Sequence, residues 1–257
     1  MANRPEDIFN AASSSVRDFF HEVSEGHIPG HSGIYLFGQN DNLSANVEET
    51  LWSGSGTWVS PTGASRVNIY SASAADTSSG LGARSVFITG VDGDYNTVRE
   101  NVTISGVTNI LSSNSYIAIN EMVISSAGAS GVNVGIIYAN QQSSSLLLNC
   151  IAANNGISQS LLYTVPAGSE AHITRLVCSS SKISAGTAPK VTFTGKIYNP
   201  ISGTRITGFE DTIDTDVAQT VVVEQPIPYV ITEKTTAFVN VISDQNNTVS
   251  HGRLYIV

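Results

Sequence analysis

Short runs in which β-branched or aromatic residues alternate with polar ones recur along the chain, as in Arg84-Ser85-Val86-Phe87-Ile88-Thr89 and Lys190-Val191-Thr192-Phe193-Thr194-Gly195, separated by clusters of Gly, Ser, Thr and Asn. A period of two puts successive side chains on opposite faces of an extended backbone, so each run buries one face and wets the other. A chain written this way has to pair its strands and stack the resulting sheets. Turn signals fall roughly ten to fifteen residues apart, which favours antiparallel sandwiches or jelly rolls.

The 257 residues are enough for one large or two ordinary β domains, since sandwiches span about 100 to 250 residues. A first series of strands is expected near 66–72, 84–90, 97–105, 116–125, 133–140 and 146–152, with Asp92-Gly93-Asp94 as one turn. Asn154-Asn155-Gly156 is a strong turn signal, and a second series follows near 158–165, 171–179, 190–198, 218–223, 228–232, 236–242 and 251–257. The pattern predicts an all-β protein of two antiparallel β-sandwich or jelly-roll-like units, at 46–153 and 154–257.

A different period occupies the start of the chain. Asn3 suits a helix cap, Pro5 and the acids Glu6 and Asp7 suit the first turn, and Glu6 stands three residues after Asn3 as in a capping box. Ile8, Phe9, Ala12, Val16, Phe19, Phe20 and Val23 then recur at helical spacing. This predicts a short amphipathic helix over 3–24, followed by an extended arm to residue 45 with no sustained period. Such a helix docks either in a neighbour's groove or on its own sandwich, and Ile8, Phe9, Val16, Phe19 and Phe20 are the candidate docking residues.

Only 13% of residues are charged, against about 25% in ordinary soluble proteins, and Ser, Thr, Asn and Gly fill the gap. A net charge of −9 with 12 scattered Lys and Arg argues against nucleic acid as a partner. No apolar stretch approaches the ~18 residues of a membrane span, so no membrane association is expected. Met1-Ala2-Asn3-Arg4-Pro5-Glu6-Asp7 lacks the basic-then-apolar layout of a secretion signal, which points to synthesis in a cytoplasm and release by lysis.

Catalytic chemistry is not announced by any nucleophile elbow, HExxH, phosphate loop or dinucleotide fingerprint, and neither enzyme activity nor a cofactor is expected. His27 and His31 stand four apart, but Pro29 and Gly30 interrupt any helix that would align them on a metal with His21. Glu210, Asp211, Asp214 and Asp216 lack the glycine and distal glutamate of a calcium loop and read as a solvated turn. Cys150 and Cys178 each sit in an apolar run, as free buried thiols or as a disulfide between neighbouring strands. Trp52 and Trp58 flank small residues, where they either stack on sugars and anchor an interface or plug the edge of a sandwich.

Two segments carry a likeness: Glu48-Glu49-Thr50-Leu51-Trp52-Ser53-Gly54-Ser55-Gly56-Thr57-Trp58-Val59-Ser60-Pro61 and Ser73-Ala74-Ala75-Asp76-Thr77-Ser78-Ser79-Gly80-Leu81-Gly82-Ala83-Arg84. Val98 to Gly106, Asn133-Val134-Gly135-Ile136-Ile137 and Leu162-Tyr163-Thr164-Val165-Pro166-Ala167-Gly168 extend it over roughly residues 27 to 180. In these patterns the chain resembles virion structural proteins of tailed bacteriophages, many of them from aquatic environments. The resemblance implies a place in the virion, beside a major capsid protein or tail components, with homo-oligomer formation and no defined functional residues. The leading expectation is a capsid-associated decoration or cement protein docking through its N-terminal helix and arm. The alternative is a tail, collar or fibre component that binds a receptor such as a host surface glycan through the Trp52 and Trp58 loop.

Overall fold

Residues 19–182, 187–216 and 219–257 are described in a computed structural model of the protein, the side chains of Phe20 and of residues 224–228 excepted. One short helix, α1 (Phe19–Ser24), precedes β1 (Ile34–Leu43) and the two-residue β2 (Glu49–Thr50). Seven strands follow: β3 (Ser65–Ser71), β4 (Ala83–Val91), β5 (Thr97–Thr103), β6 (Ile110–Tyr116), β7 (Ala118–Ala127), β8 (Ile137–Gln141) and β9 (Leu147–Ile151). The rest of the chain adds β10 (Leu162–Thr164), β11 (Ala171–Lys182), β12 (Lys190–Asn199), β13 (Thr204–Asp214), β14 (Thr220–Ile231), β15 (Thr236–Ser243) and β16 (Thr248–Ile256).

The expected all-β architecture is present, with antiparallel pairing between all of these strands. In the first sandwich the sheet β6-β3-β8-β9 packs on β5-β4-β7. Alternation decides which side chains meet: Val67 and Ile69 of β3 face Val86 and Ile88 of β4, joined by Ile119, Met122 and Ile137. In the second sandwich β1-β16-β11-β14 packs on β10-β15-β12-β13, around Leu176, Cys178, Phe193, Val241 and Leu254. Strand β15 is buried on both faces along nearly its whole length. Its outer side is covered where Trp52, Trp58 and Leu162 pack on Phe238.

The expected arm is corrected by this topology. From Ile34 onward it is strand β1, paired along β16 from Ile34↔Ile256 to Leu43↔Thr248. Ile34, Leu36 and Leu43 join the second core. The apolar alternation is broken at Gly38, where a Cβ would lie 2.5 Å from the Leu51 carbonyl oxygen and 2.6 Å from Leu161. It is broken again at Asn40, whose amide donates to Glu49 Oε2 at 3.0 Å. With core positions given to a glycine and an asparagine, β1 has no legible period.

The unit boundaries change with it. Glu49 and Thr50 pair with Val241 and Asn240, so residues 46 to 58 belong with the second sandwich. The first sandwich, β3 to β9, is an insertion between β2 and β10 of the second. The two bodies touch through Asn120, whose amide donates to the Thr164 carbonyl and accepts from the Thr164 N–H, both at 2.9 Å. A small cluster of Val91, Tyr95, Ala118 and Ala167 closes the same junction. Of the expected N-terminal helix, only α1 lies within the described residues.

Candidate functional site

The register of β1, β16 and β11 brings residues far apart in sequence into rows on the outer face of their sheet. Tyr35, Tyr255 and Arg175 form one row, Phe37, Arg253 and Val177 the next, and Gln39, His251 and Ser179 the third. Each is two residues from its neighbour on the same strand, so all point away from the core. The Tyr35 and Tyr255 rings meet edge to face at 5.0 Å, Phe37 stacks on His251 at 6.0 Å, and the Arg175 guanidinium lies 6.0 Å from the Tyr255 ring. Partial burial raises the Tyr35 hydroxyl pKa, with the nearby Arg253 charge pulling the other way. Tyr35 is nonetheless 54% exposed, and Val222 of β14 extends the patch at 45%.

A cleft of about 710 Å³ opens beside Tyr35 between the two sandwiches. His31, Tyr163 and His172 stand on one wall, and Thr89, Arg99 and Glu121 on the other. The last three form one row across β5, β4 and β7, with Arg99 and Glu121 on either side of Thr89. Face and cleft together offer rings, cations, carboxylates and hydroxyls on strands, an arrangement suited to binding.

The segments Glu48–Pro61, Ser73–Arg84 and Val98–Gly106 are organised by three carboxylates. Asp76 is fully buried and accepts from Ser71 Oγ (2.5 Å) and from the backbone N–H groups of Ala83 (2.7 Å), Val134 (2.9 Å) and Gly135 (2.8 Å). A Cβ on Gly82 would lie 2.0 Å from Asp76 Oδ1, which accounts for glycine there. Glu49, also buried, accepts from the Asn40 amide and the N–H groups of Ser44 (2.9 Å) and Gly56 (3.3 Å). Glu100 accepts from the Tyr116 hydroxyl (2.8 Å) and from the N–H groups of Ser113 (2.8 Å) and Asn114 (3.2 Å). Burial, followed by Glu100, drives the Tyr116 pKa upward. Asp76 and Glu49 pin loops to strands, and Glu100 ties β5 to β6.

Of the two readings of the tryptophans the edge plug is the one found, and as docking residues both are corrected. Trp52 is 4% and Trp58 6% exposed. Trp52 Nε1 donates to the Gly56 carbonyl at 3.0 Å and Trp58 packs 5.3 Å from the Phe238 ring. They plug the flank of β15 and present no ring to a sugar. Phe19 is 47% exposed and meets His31 edge to face at 5.8 Å. Ile8, Phe9, Val16 and the Phe20 side chain lie outside the described residues.

His27 pairs with Glu22 (3.0 Å) and Glu25 (3.2 Å), whereas His31 Nδ1 faces the Pro29 carbonyl, so the two imidazoles do not converge. The expected acidic turn is corrected too, since Glu210, Asp211 and Asp214 lie on strand β13. Glu210 and Asp211 are successive strand residues and point to opposite faces. Both cysteines are free and buried, on β9 and β11 of different sandwiches. Burial pushes the Cys150 thiol up to about 12, and burial with a contribution from Asp211 pushes Cys178 higher than its ordinary value. Among the described residues no helix is long and apolar enough to cross a membrane.

Sequence reasoning missed the aromatic face because its members come from three strands joined only by the fold. The spacing Tyr35, Phe37 and His251, Arg253, Tyr255 was the available signal. No protein-family model, no curated protein and no solved structure matches the chain.

Proposed function

We propose that the protein is a non-enzymatic structural component of a tailed-bacteriophage virion, a capsid-associated decoration or cement protein that docks on other virion proteins. The observation that carries this reading is the exposed aromatic and arginine face of Tyr35, Phe37, His251, Arg253 and Tyr255. Tyr, Phe and Arg are enriched at protein interfaces, the rings because they bring large area with few rotatable bonds and arginine because its planar guanidinium stacks on rings and carries several donors. The likeness of the Glu48–Pro61 and Ser73–Arg84 segments to virion proteins supports the same reading, as does a charge-poor, hydroxyl-rich surface.

Docking then falls to this face together with the chain before β1, not to an arm reaching residue 45. The test is incorporation of a Tyr35→Ser/Arg253→Glu variant into particles in place of the parent. Both side chains are on the outer face, so thermal unfolding should be little changed while incorporation falls. Normal incorporation of a folded double variant would refute the assignment of this face.

A further inference from the structure

Strand β13 is the last strand of its sheet: β12 occupies one edge, and among the described residues no strand pairs with the other. Its register with β12 slips once. Lys196 faces Thr207 and Gly195 faces Phe209, leaving Gly208 as the additional residue of a bulge. The bulge inverts the alternation of side chains. Arg205 (opposite Tyr198) and Glu210 (opposite Thr194) therefore share the outer face, while Ile206 (opposite Ile197) and Phe209 (opposite Gly195) share the core face.

Both pairs are incomplete within one copy. The Arg205 guanidinium rests 4.9 Å from the Tyr198 ring, and among the described residues neither Arg205 nor Glu210 has an ion-pair partner. Ile206 is 47% exposed and Ile201, in the preceding turn, 69%. Beside them an apolar hollow lined by Ile173, Ile197, Phe209 and Tyr229 opens at the edge of the sandwich.

We propose that a second copy of this chain covers this edge, its β13 antiparallel to the first about a twofold axis passing between Thr207 and Gly208. An axis normal to the sheet sets outer face beside outer face and core face beside core face. In this register Arg205 stands opposite Glu210 of the second copy, and Ile206 opposite Phe209 of the second copy, each contact occurring twice. Without the bulge the same register would oppose outer residues to core residues; with it, charge and apolar side chains match together. Asp211, which is half-buried on the core side and would otherwise guard the edge as an inward-pointing charge, is set opposite Thr204 of the second copy. The sheet β10-β15-β12-β13 then runs unbroken through two copies.

This pairing does not depend on the virion reading. It is tested with the full chain by sedimentation equilibrium across the range of soluble concentrations. The parent is expected to dimerise reversibly. Arg205→Glu and Glu210→Arg, each placing like charges across the edge, should weaken the dimer roughly tenfold or more, and the doubly exchanged Arg205→Glu/Glu210→Arg chain should regain most of it. Both side chains involved are exposed, and circular dichroism should give parent-like melting, which separates lost pairing from lost folding. A parent that stays monomeric, single variants that dimerise as the parent does, or a double variant no tighter than the singles would each overturn the proposal.

Discussion

Replacing Asp76 by alanine removes a carboxylate that receives three backbone N–H groups and one hydroxyl at a fully buried position. The donors come from the end of β3 (Ser71), the start of β4 (Ala83) and the Val134–Gly135 turn, so the carboxylate ties three separate segments together. Each unsatisfied buried donor costs about 1–3 kcal/mol. Three N–H groups, eased by water entering the vacated space, give a loss of about 4–6 kcal/mol, comparable with the ~5–15 kcal/mol that holds a domain folded. Asp76→Asn keeps one acceptor oxygen and turns an amide NH2 toward donors, for a loss of about 2–4 kcal/mol. Urea unfolding followed by far-ultraviolet circular dichroism measures both. Trp52 and Trp58, the only tryptophans, sit on the second sandwich, so their fluorescence follows that body. The Asp76→Ala chain should lose dichroism well before its fluorescence changes, and the Ala83, Val134 and Gly135 amides should lose hydrogen-exchange protection. A parent-like midpoint by both probes, with those amides still protected, would refute the reasoning.

Other outcomes follow from burial. A thiol held up to about 12 is thiolate in roughly one part in ten thousand at pH 8, so a thiol reagent should leave Cys150 and Cys178 unlabelled until the chain is unfolded; prompt labelling of the folded protein would contradict their placement. Trp58→Ala empties the space over Phe238 and should cost about 3–5 kcal/mol in urea unfolding, whereas soluble sugars should leave the tryptophan emission of the parent unchanged. Deleting residues 1–32 spares β1 and should leave the second sandwich cooperative. Deletion through residue 45 removes Leu43 and one of the two partners of β16, each such buried side chain being worth about 1.5–3 kcal/mol, and should lower its thermal midpoint sharply.

What was legible in the sequence follows from which faces are buried. Strand β12 has one apolar and one polar face, and its alternation is plain in Val191-Thr192-Phe193; in β4 the β-branched Val86 and Ile88 mark the strand and are buried on either side of the exposed Phe87. Strand β13 is exposed for most of its length, so its Glu210 and Asp211 look like a turn. Strand β6 carries Ser112, Ser113, Asn114 and Ser115, where hydroxyl and amide groups satisfy neighbours rather than mark a period. Strands β1 and β16 are paired although more than two hundred residues separate their ends, and no local pattern encodes that contact. The aromatic face was hidden for the same reason, and the tryptophans, read as a possible binding loop, are held inward by a flank that only the fold supplies.

The most direct test of the proposed virion role is quantitative mass spectrometry of virus particles purified from lysates of cells that make this chain, measuring its copies per particle against the major capsid protein. A decoration or cement protein should be present in hundreds of copies. A dozen or fewer would move it to the tail or collar, and absence from the particle would contradict a virion role altogether.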